Sequence, residues 1–207
     1  MNLSHPAFDL FGENEGRILQ RLAVLAEVTS GRRIHELSGV KSLRTTQQIL
    51  SRLVAIGLVS LRLTGASNLY SLNRGHILWH PISQVLESPG KAETYITETL
   101  NQVIGGRMAG AVLYGSFARG DAGRDSDIDI LVVWAEPIDT ATGAELLDEA
   151  SERIRRITGN TAQMLPMTKD EVSALVAGDD PLIESLRADA RSLTEGFDLK
   201  KLLVSSR

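Results

Sequence analysis

Between Leu113 and Trp134 the chain reads LYGSFARGDAGRDSDIDILVVW, two apolar runs enclosing a Gly-Ser pair, two arginines and four aspartates. The second run has strand character, and Asp127 and Asp129 stand at its start, one residue apart. Residues i and i+2 of a strand point to the same side, so both carboxylates face one volume. Two such charges repel unless a cation lies between them. Oxygen donors alone suit Mg²⁺ (or Mn²⁺), which takes one or two carboxylates and completes its shell with substrate phosphates and water. The plain structural alternative is that the two aspartates cap loops or pair with Arg119 and Arg124.

The Gly-Ser pair has a complementary chemistry. Gly115 follows an apolar strand and Ser116 opens a short helix. A residue without Cβ lets a phosphate approach the backbone, and a helix N-terminus offers unpaired N–H groups with partial positive charge. A metal pair beside such a cradle polarises an α-phosphate and neutralises a pyrophosphate leaving group.

The run G115-S116-F-A-R119-G120-D-A-G-R-D125-S126-D127-I-D129 resembles the Gly-Ser, ten residues, Asp-x-Asp signature of the minimal nucleotidyltransferase family, within the DNA polymerase β-like superfamily. By that resemblance Gly115 and Ser116 bind the phosphates of a nucleoside triphosphate, while Asp127 and Asp129 are the catalytic, metal-holding carboxylates. Arg119 and Gly120 match the family's common Arg-Gly. Arg119 is read as a nucleotide contact, or equally as a structural partner of Asp121 or Asp125. Active members carry a third carboxylate on the following strand, and here Gln163 stands where that acid would be. An amide takes no proton from an attacking hydroxyl and ligates Mg²⁺ weakly.

The N-terminal third follows a different pattern. Ile18, Leu19, Leu22, Leu25, Ala26 and Val28 recur at helical spacing, predicting a helix from Glu13 to Val28 that ends at Gly31. A short helix over Arg32 to Leu37 follows, and then one capped by Ser42, with Leu43, Thr46, Leu50, Leu53 and Val54 inward. Two helices joined by a short Gly-containing turn form the helix-turn-helix pattern. The alternating runs 58–63 and 68–73, joined by turn residues at 64–67, predict a hairpin after it. This segment, including IGLVSLRLTGASNLYSLNRGH, resembles the wing region of MarR- and ArsR-like winged-helix regulators. The resemblance implies double-stranded DNA as a partner and a homodimer. Arg44, Thr45, Gln47, Gln48 and Arg52 would face base edges, with Ser42 and Arg62 on phosphates. A solvated helix face on a protein-interaction module is the other reading.

Charge divides the same way. Residues 1–75 hold nine Lys/Arg and five Asp/Glu, whereas the rest hold 13 and 21. A basic unit beside an acidic one fits a nucleic-acid-binding module joined to something else. The expected organisation is 1–75 winged helix, 76–94 linker or connecting helix, and 95–207 nucleotidyltransferase-like domain. The class is α/β (α+β), with a mixed sheet of three or four strands. The predicted elements are a helix from Lys91 to Ile104, strands at 108–114, 128–134 and 161–165, and helices at 140–157, after the Thr168-x-x-Glu171 capping box, and at 181–193. No apolar run approaches the roughly 20 residues of a membrane span. No signal-peptide pattern opens the chain, and without cysteines there are no disulfides or thiolate metal sites, so a cytoplasmic protein is expected. Three functions follow: an Mg-dependent transferase moving an NMP from an NTP to an acceptor; a DNA-binding transcriptional regulator whose second domain binds nucleotide without turnover; or a module that binds a partner protein.

Overall fold

Apolar residues alternate between two faces along the inner strands of the C-terminal half, and that alternation requires a covering layer on each side of a sheet. The computed structural model, which describes residues 1–65, 67–177 and 180–204, has this arrangement. The chain divides into two compact units, His5–Ser88 and Met1–Ser4 with Pro89–Arg207. Each is taken by itself.

The larger unit orders its elements as α6 (Ser88–Val103), β4 (Met108–Tyr114), α7 (Gly115–Arg119), β5 (Ile128–Trp134), α8 (Thr140–Thr158), β6 (Ala162–Thr168), α9 (Lys169–Ala177), α10 (Pro181–Asp189), β7 (Arg191–Ser192) and α11 (Leu199–Val204). The sheet order is β6-β5-β4-β7, with β5 and β6 parallel and the other pairs antiparallel, a mixed four-stranded sheet. On one face Leu113, Ile130 and Val132 pack with Ile96, Leu100 and Ile154 from α6 and α8. On the other, Val112, Leu131 and Val133 meet Val172, Ile183, Leu186 and Leu199 from α9, α10 and α11. Asp129 on β5 and Gln163 on β6 occupy odd positions and share this second side, and Asp127 immediately precedes β5.

Two expectations fail here for reasons of sheet closure. The strand expected to end at Leu165 runs on to Thr168 through Pro166. Because β6 is an edge strand, a residue without N–H costs no inner ladder bond there. The helix expected to reach Leu193 stops at Asp189, and Arg191–Ser192 instead pairs with Leu113 and Val112. That pairing covers the exposed edge of β4. The capping box is formed: Thr168 N–H donates to Glu171 Oε2 at 2.7 Å and Glu171 N–H to Thr168 Oγ1 at 3.2 Å.

The smaller unit contains α1 (Pro6–Phe11), α2 (Glu13–Val24), β1 (Thr29–Ser30), α3 (Gly31–Ser38), α4 (Leu43–Ala55), β2 (Val59–Thr64), β3 (Ser67–Leu72) and α5 (Trp79–Leu86). β3 pairs antiparallel with both β2 and β1. Ile18, Leu19, Leu22, Ile34, Leu50, Leu53 and Tyr70 form its core, and Ile82 of α5 joins them. The stretch 76–94, expected as a linker or a connecting helix, carries α5 and the start of α6. α2 ends at Val24, four residues before expectation, because Val24 and Val28 lie off the buried stripe and are exposed. Gly31 opens α3 rather than closing α2, with Ser30 Oγ accepting from Arg33 N–H. Leu43, expected inward, is exposed at the start of α4. Within the expected turn at 64–67, Ala66 lies outside the described residues. Among the described residues no helix is long and apolar enough to cross a membrane.

Candidate functional site

β4 delivers Tyr114 and then Gly115 to the same end of the sheet at which β5 begins. Tyr114 is the register partner of Asp129, and Asp129 in turn is the partner of Gln163 on β6. Antiparallel and parallel pairing on either side of β5 therefore bring the Gly-Ser turn, both aspartates and Gln163 together. Gly115 has φ +71°, a conformation that disfavours any residue with a Cβ. A Cβ there would also collide with the Asp129 carboxylate. Glycine is required twice at this position, once by the backbone and once by the carboxylate it faces.

The approach to Asp127 is fixed by a residue that sequence reasoning missed. Asn160, buried, donates from Nδ2 to the carbonyls of Ser126 at 2.8 Å and Met1 at 3.0 Å. Ser126 Oγ accepts from Gly123 N–H at 2.8 Å, and Ile128 N–H donates to Thr161 O at 2.9 Å. The loop thus enters β5 with its geometry set on both sides of Asp127.

Electrostatics of the pair follow from placement. Burial, and then the charge of Asp127, raise the Asp129 carboxyl above its ordinary value, with Arg119 acting in the opposite direction. Burial and the neighbouring Asp129 raise the Tyr114 phenol in the same way. Gln163 Nε2 lies 3.5 Å from Asp127 Oδ2. Among the described residues no group of three or more His, Cys, Asp or Glu side chains converges to hold a metal. Two crowded carboxylates with an amide beside them fit a divalent cation whose remaining ligands come from a substrate and water.

Arg119 is placed by structure rather than aimed at the carboxylates. Its Nη1 donates to Asp189 Oδ2 at 3.0 Å and its Nε to Asp121 Oδ2 at 3.2 Å. Arg191 holds the same short helix, Nη2 donating to Phe117 O at 3.1 Å while Nη1 pairs with Glu93 Oε1 at 2.8 Å. The α10–β7 junction therefore clamps α7, the helix that presents Ser116. Neither Asp189 nor Arg191 carries a sequence signal, since each becomes a neighbour of α7 only when β7 joins the sheet.

The face expected to read DNA lies on α4 in the smaller unit. Ser42, Arg44, Gln47 and Gln48 are exposed, and Thr45 is half-buried. Ser42 Oγ also caps α4 by accepting from Thr45 N–H at 3.3 Å. Arg52 is ion-paired with the mostly buried Glu15 of α2, and Arg62 is exposed on β2.

Comparison with known proteins adds to this geometry. Solved structures that resemble part of the chain include three toxin–antitoxin complexes. A toxin–antitoxin complex with AMP-PNP is 22% identical with TM-score 0.40, over 55% of this chain and 82% of that one. A mutant MntA–HpeT toxin–antitoxin complex is 20% identical with TM-score 0.41, over 55% and 82%. The tri-AMPylated Shewanella oneidensis HEPN toxin in complex with MNT antitoxin is 19% identical with TM-score 0.38, over 56% and 82%. No curated protein matches the chain. Residues 98–180, which include Gly115, Ser116, Asp127, Asp129 and Gln163, match the family described as a nucleotidyltransferase domain.

Proposed function

We propose that the larger unit binds a nucleoside triphosphate with a divalent cation at Gly115, Ser116, Asp127 and Asp129 and transfers its nucleotidyl group to an acceptor. The observation that carries this reading is the convergence of the Gly115 turn on the Asp129 carboxylate, within residues that match a nucleotidyltransferase domain. The first backbone N–H groups of α7 have no intrahelical partner and receive phosphate oxygens. Asp127 and Asp129 would hold a Mg²⁺ ion, which would supply countercharge to the triphosphate and Lewis acidity at the α-phosphate. In the transfer, the acceptor hydroxyl oxygen bonds to the α-phosphorus as the bond to the bridging oxygen breaks, and pyrophosphate leaves with the electron pair. The hydroxyl proton passes to solvent, because the Gln163 amide does not accept it.

Gln163 favours a second reading, in which nucleotide is bound without turnover. Incubation with Mg²⁺, labelled ATP, CTP, GTP or UTP and a cell lysate separates the two. Labelled product that disappears in Asp127→Asn supports transfer. Saturable nucleotide binding with no product from any of the four supports the second reading, and absence of both rejects the site.

For the smaller unit we infer a winged helix that binds double-stranded DNA. The order α2, α3, α4, hairpin, with Arg44, Gln47 and Gln48 exposed on α4, supports this. A shift of the DNA upstream of its own gene should weaken steeply as salt rises. A shift unchanged in Arg44→Ala rules out α4 as the reading helix.

A further inference from the structure

Arg17 and Arg21 stand one turn apart on α2, and both line a pocket of about 370 Å³ with His5, Phe8, Gln20 and Ser38. Like charges at i and i+4 oppose each other on a helix unless a countercharge is present. Arg17 has one, its Nη2 lying 2.8 Å from Glu13 Oε1. Arg21 differs: its Nε is buried and has no hydrogen-bond partner among the described residues. Buried donors of this kind are nearly always paired in folded proteins. The Phe8 ring forms one wall, with the His5 ring stacked on it at 4.6 Å and the Arg17 guanidinium 5.3 Å from its centroid.

The Gln20 amide, the His5 ring and the Ser38 hydroxyl complete the polar lining. Gln20 Nε2 lies 3.1 Å from His5 Nδ1, so Nδ1 accepts and the ring proton sits on Nε2. Burial, and then the positive charge of Arg17, lower the His5 imidazole below its ordinary value. Two guanidinium groups, one with a buried Nε that has no acceptor among the described residues, share a walled pocket with the Gln20 amide and the Ser38 hydroxyl.

We propose that this pocket binds a small oxyanion, the carboxylate or phosphate group of a low-molecular-weight ligand, with Arg21 as its principal donor and Arg17 and Gln20 at the rim. A guanidinium fork matches either group in two parallel hydrogen bonds. The site is independent of the nucleotide reading.

The test titrates the full chain with inorganic phosphate, with acetate and with chloride at matched ionic strength, following the His5 imidazole by NMR. The chain has four histidines, so the signal lost in His5→Gln identifies it. A saturable shift with phosphate alone assigns a phosphoryl ligand, and one with acetate alone a carboxylate; saturation by both assigns the shared oxyanion chemistry. In each case Arg21→Gln should weaken binding by about tenfold or more, with Arg21→Lys between. If Arg21→Gln does not fold, Gln20→Glu, which sets a carboxylate at the rim, should abolish the saturation. The same unsaturable drift with all three salts, or undiminished saturation in a folded Arg21→Gln or Gln20→Glu chain, overturns the proposal.

Discussion

Gly115 and Asp129 occupy one space: a single carbon added to the glycine would run into the carboxylate of the aspartate. The positive φ of Gly115 adds backbone strain to that collision. Gly115→Ala should therefore cost about 1–3 kcal/mol of stability and displace Asp129 as well. In nucleotide titrations the variant should bind far more weakly than its thermal stability alone accounts for. Binding lost only in proportion to the folded fraction would mean the contact does not shape the site.

Asp189 and Arg191 act on the site through α7, Asp189 by holding Arg119 and Arg191 by holding the Phe117 carbonyl. Exposed ion pairs add little to stability, so their removal should be felt in geometry. Asp189→Asn and Arg191→Ala are expected to weaken nucleotide binding by about threefold to tenfold while leaving the melting curve nearly unchanged. Arg191→Lys, which keeps charge but loses the fork, should recover only part of the affinity. Equal affinities across wild type and all three variants would assign the clamp no role in positioning Ser116.

How much of this was legible beforehand depended on sequence distance. The Gly115 turn and the Asp127–Asp129 pair lie within one short stretch, so period-2 alternation and turn chemistry were enough to bring them together. Gln163 was placed beside them because β5 and β6 are joined through one helix, the usual route to parallel neighbours. The clamp was not legible. Arg191 reaches α7 through β7, a two-residue strand too short to show alternation and preceded by residues with a helical pattern. Asn160 escaped for a related reason: a single amide after a helix carries no periodic signal, and its importance lies in two carbonyls far away in sequence. In the smaller unit, Val24 and Val28 matched helical spacing well enough to lengthen α2, although neither is buried.

Gly110 is another glycine whose missing side chain is structural. The Phe197 ring packs directly over it, where a Cβ would stand. The bulge in β4 between Met108 and Gly110 lies at this contact. Gly110→Ala is expected to destabilise the fold by about 1–3 kcal/mol through overpacking. Phe197→Leu should recover part of that loss in the double variant, which thermal melts of the two single variants and the pair would establish. Strict additivity would show that the ring does not rest on Gly110 in solution.

Glu171 gives a stability dependence on pH with a definite sign. Hydrogen bonds from the Thr168 backbone N–H, and then from its hydroxyl, hold its carboxyl below the ordinary value of 4.5. A carboxyl depressed in the folded state stabilises that state fully above the unfolded pKa, and the contribution is lost as pH falls through the folded pKa. Glu171→Gln should thus lower the melting temperature at neutral pH, with the difference from wild type closing as pH falls from 4.5 through the lowered folded-state pKa. A gap that does not narrow as the chain is acidified to its unfolding limit would point to a cause other than the ionised cap.

Gln163 separates the two proposed readings, transfer and binding without turnover. Its amide nitrogen lies 3.5 Å from Asp127 Oδ2, so a carboxylate on the same backbone position would stand next to both aspartates. Without a cation, Gln163→Glu adds a third negative charge to a pair in which Asp129 is already raised. The variant should therefore be less stable than wild type in the absence of Mg²⁺ and gain more stability than wild type when Mg²⁺ is added, since ligand binding to the native state stabilises it by mass action. If proton acceptance limits transfer, labelled product should also form at least about 10²-fold faster, the lower range for a positioned general base. An Mg²⁺ response no larger than that of wild type would show that position 163 does not face the cation site.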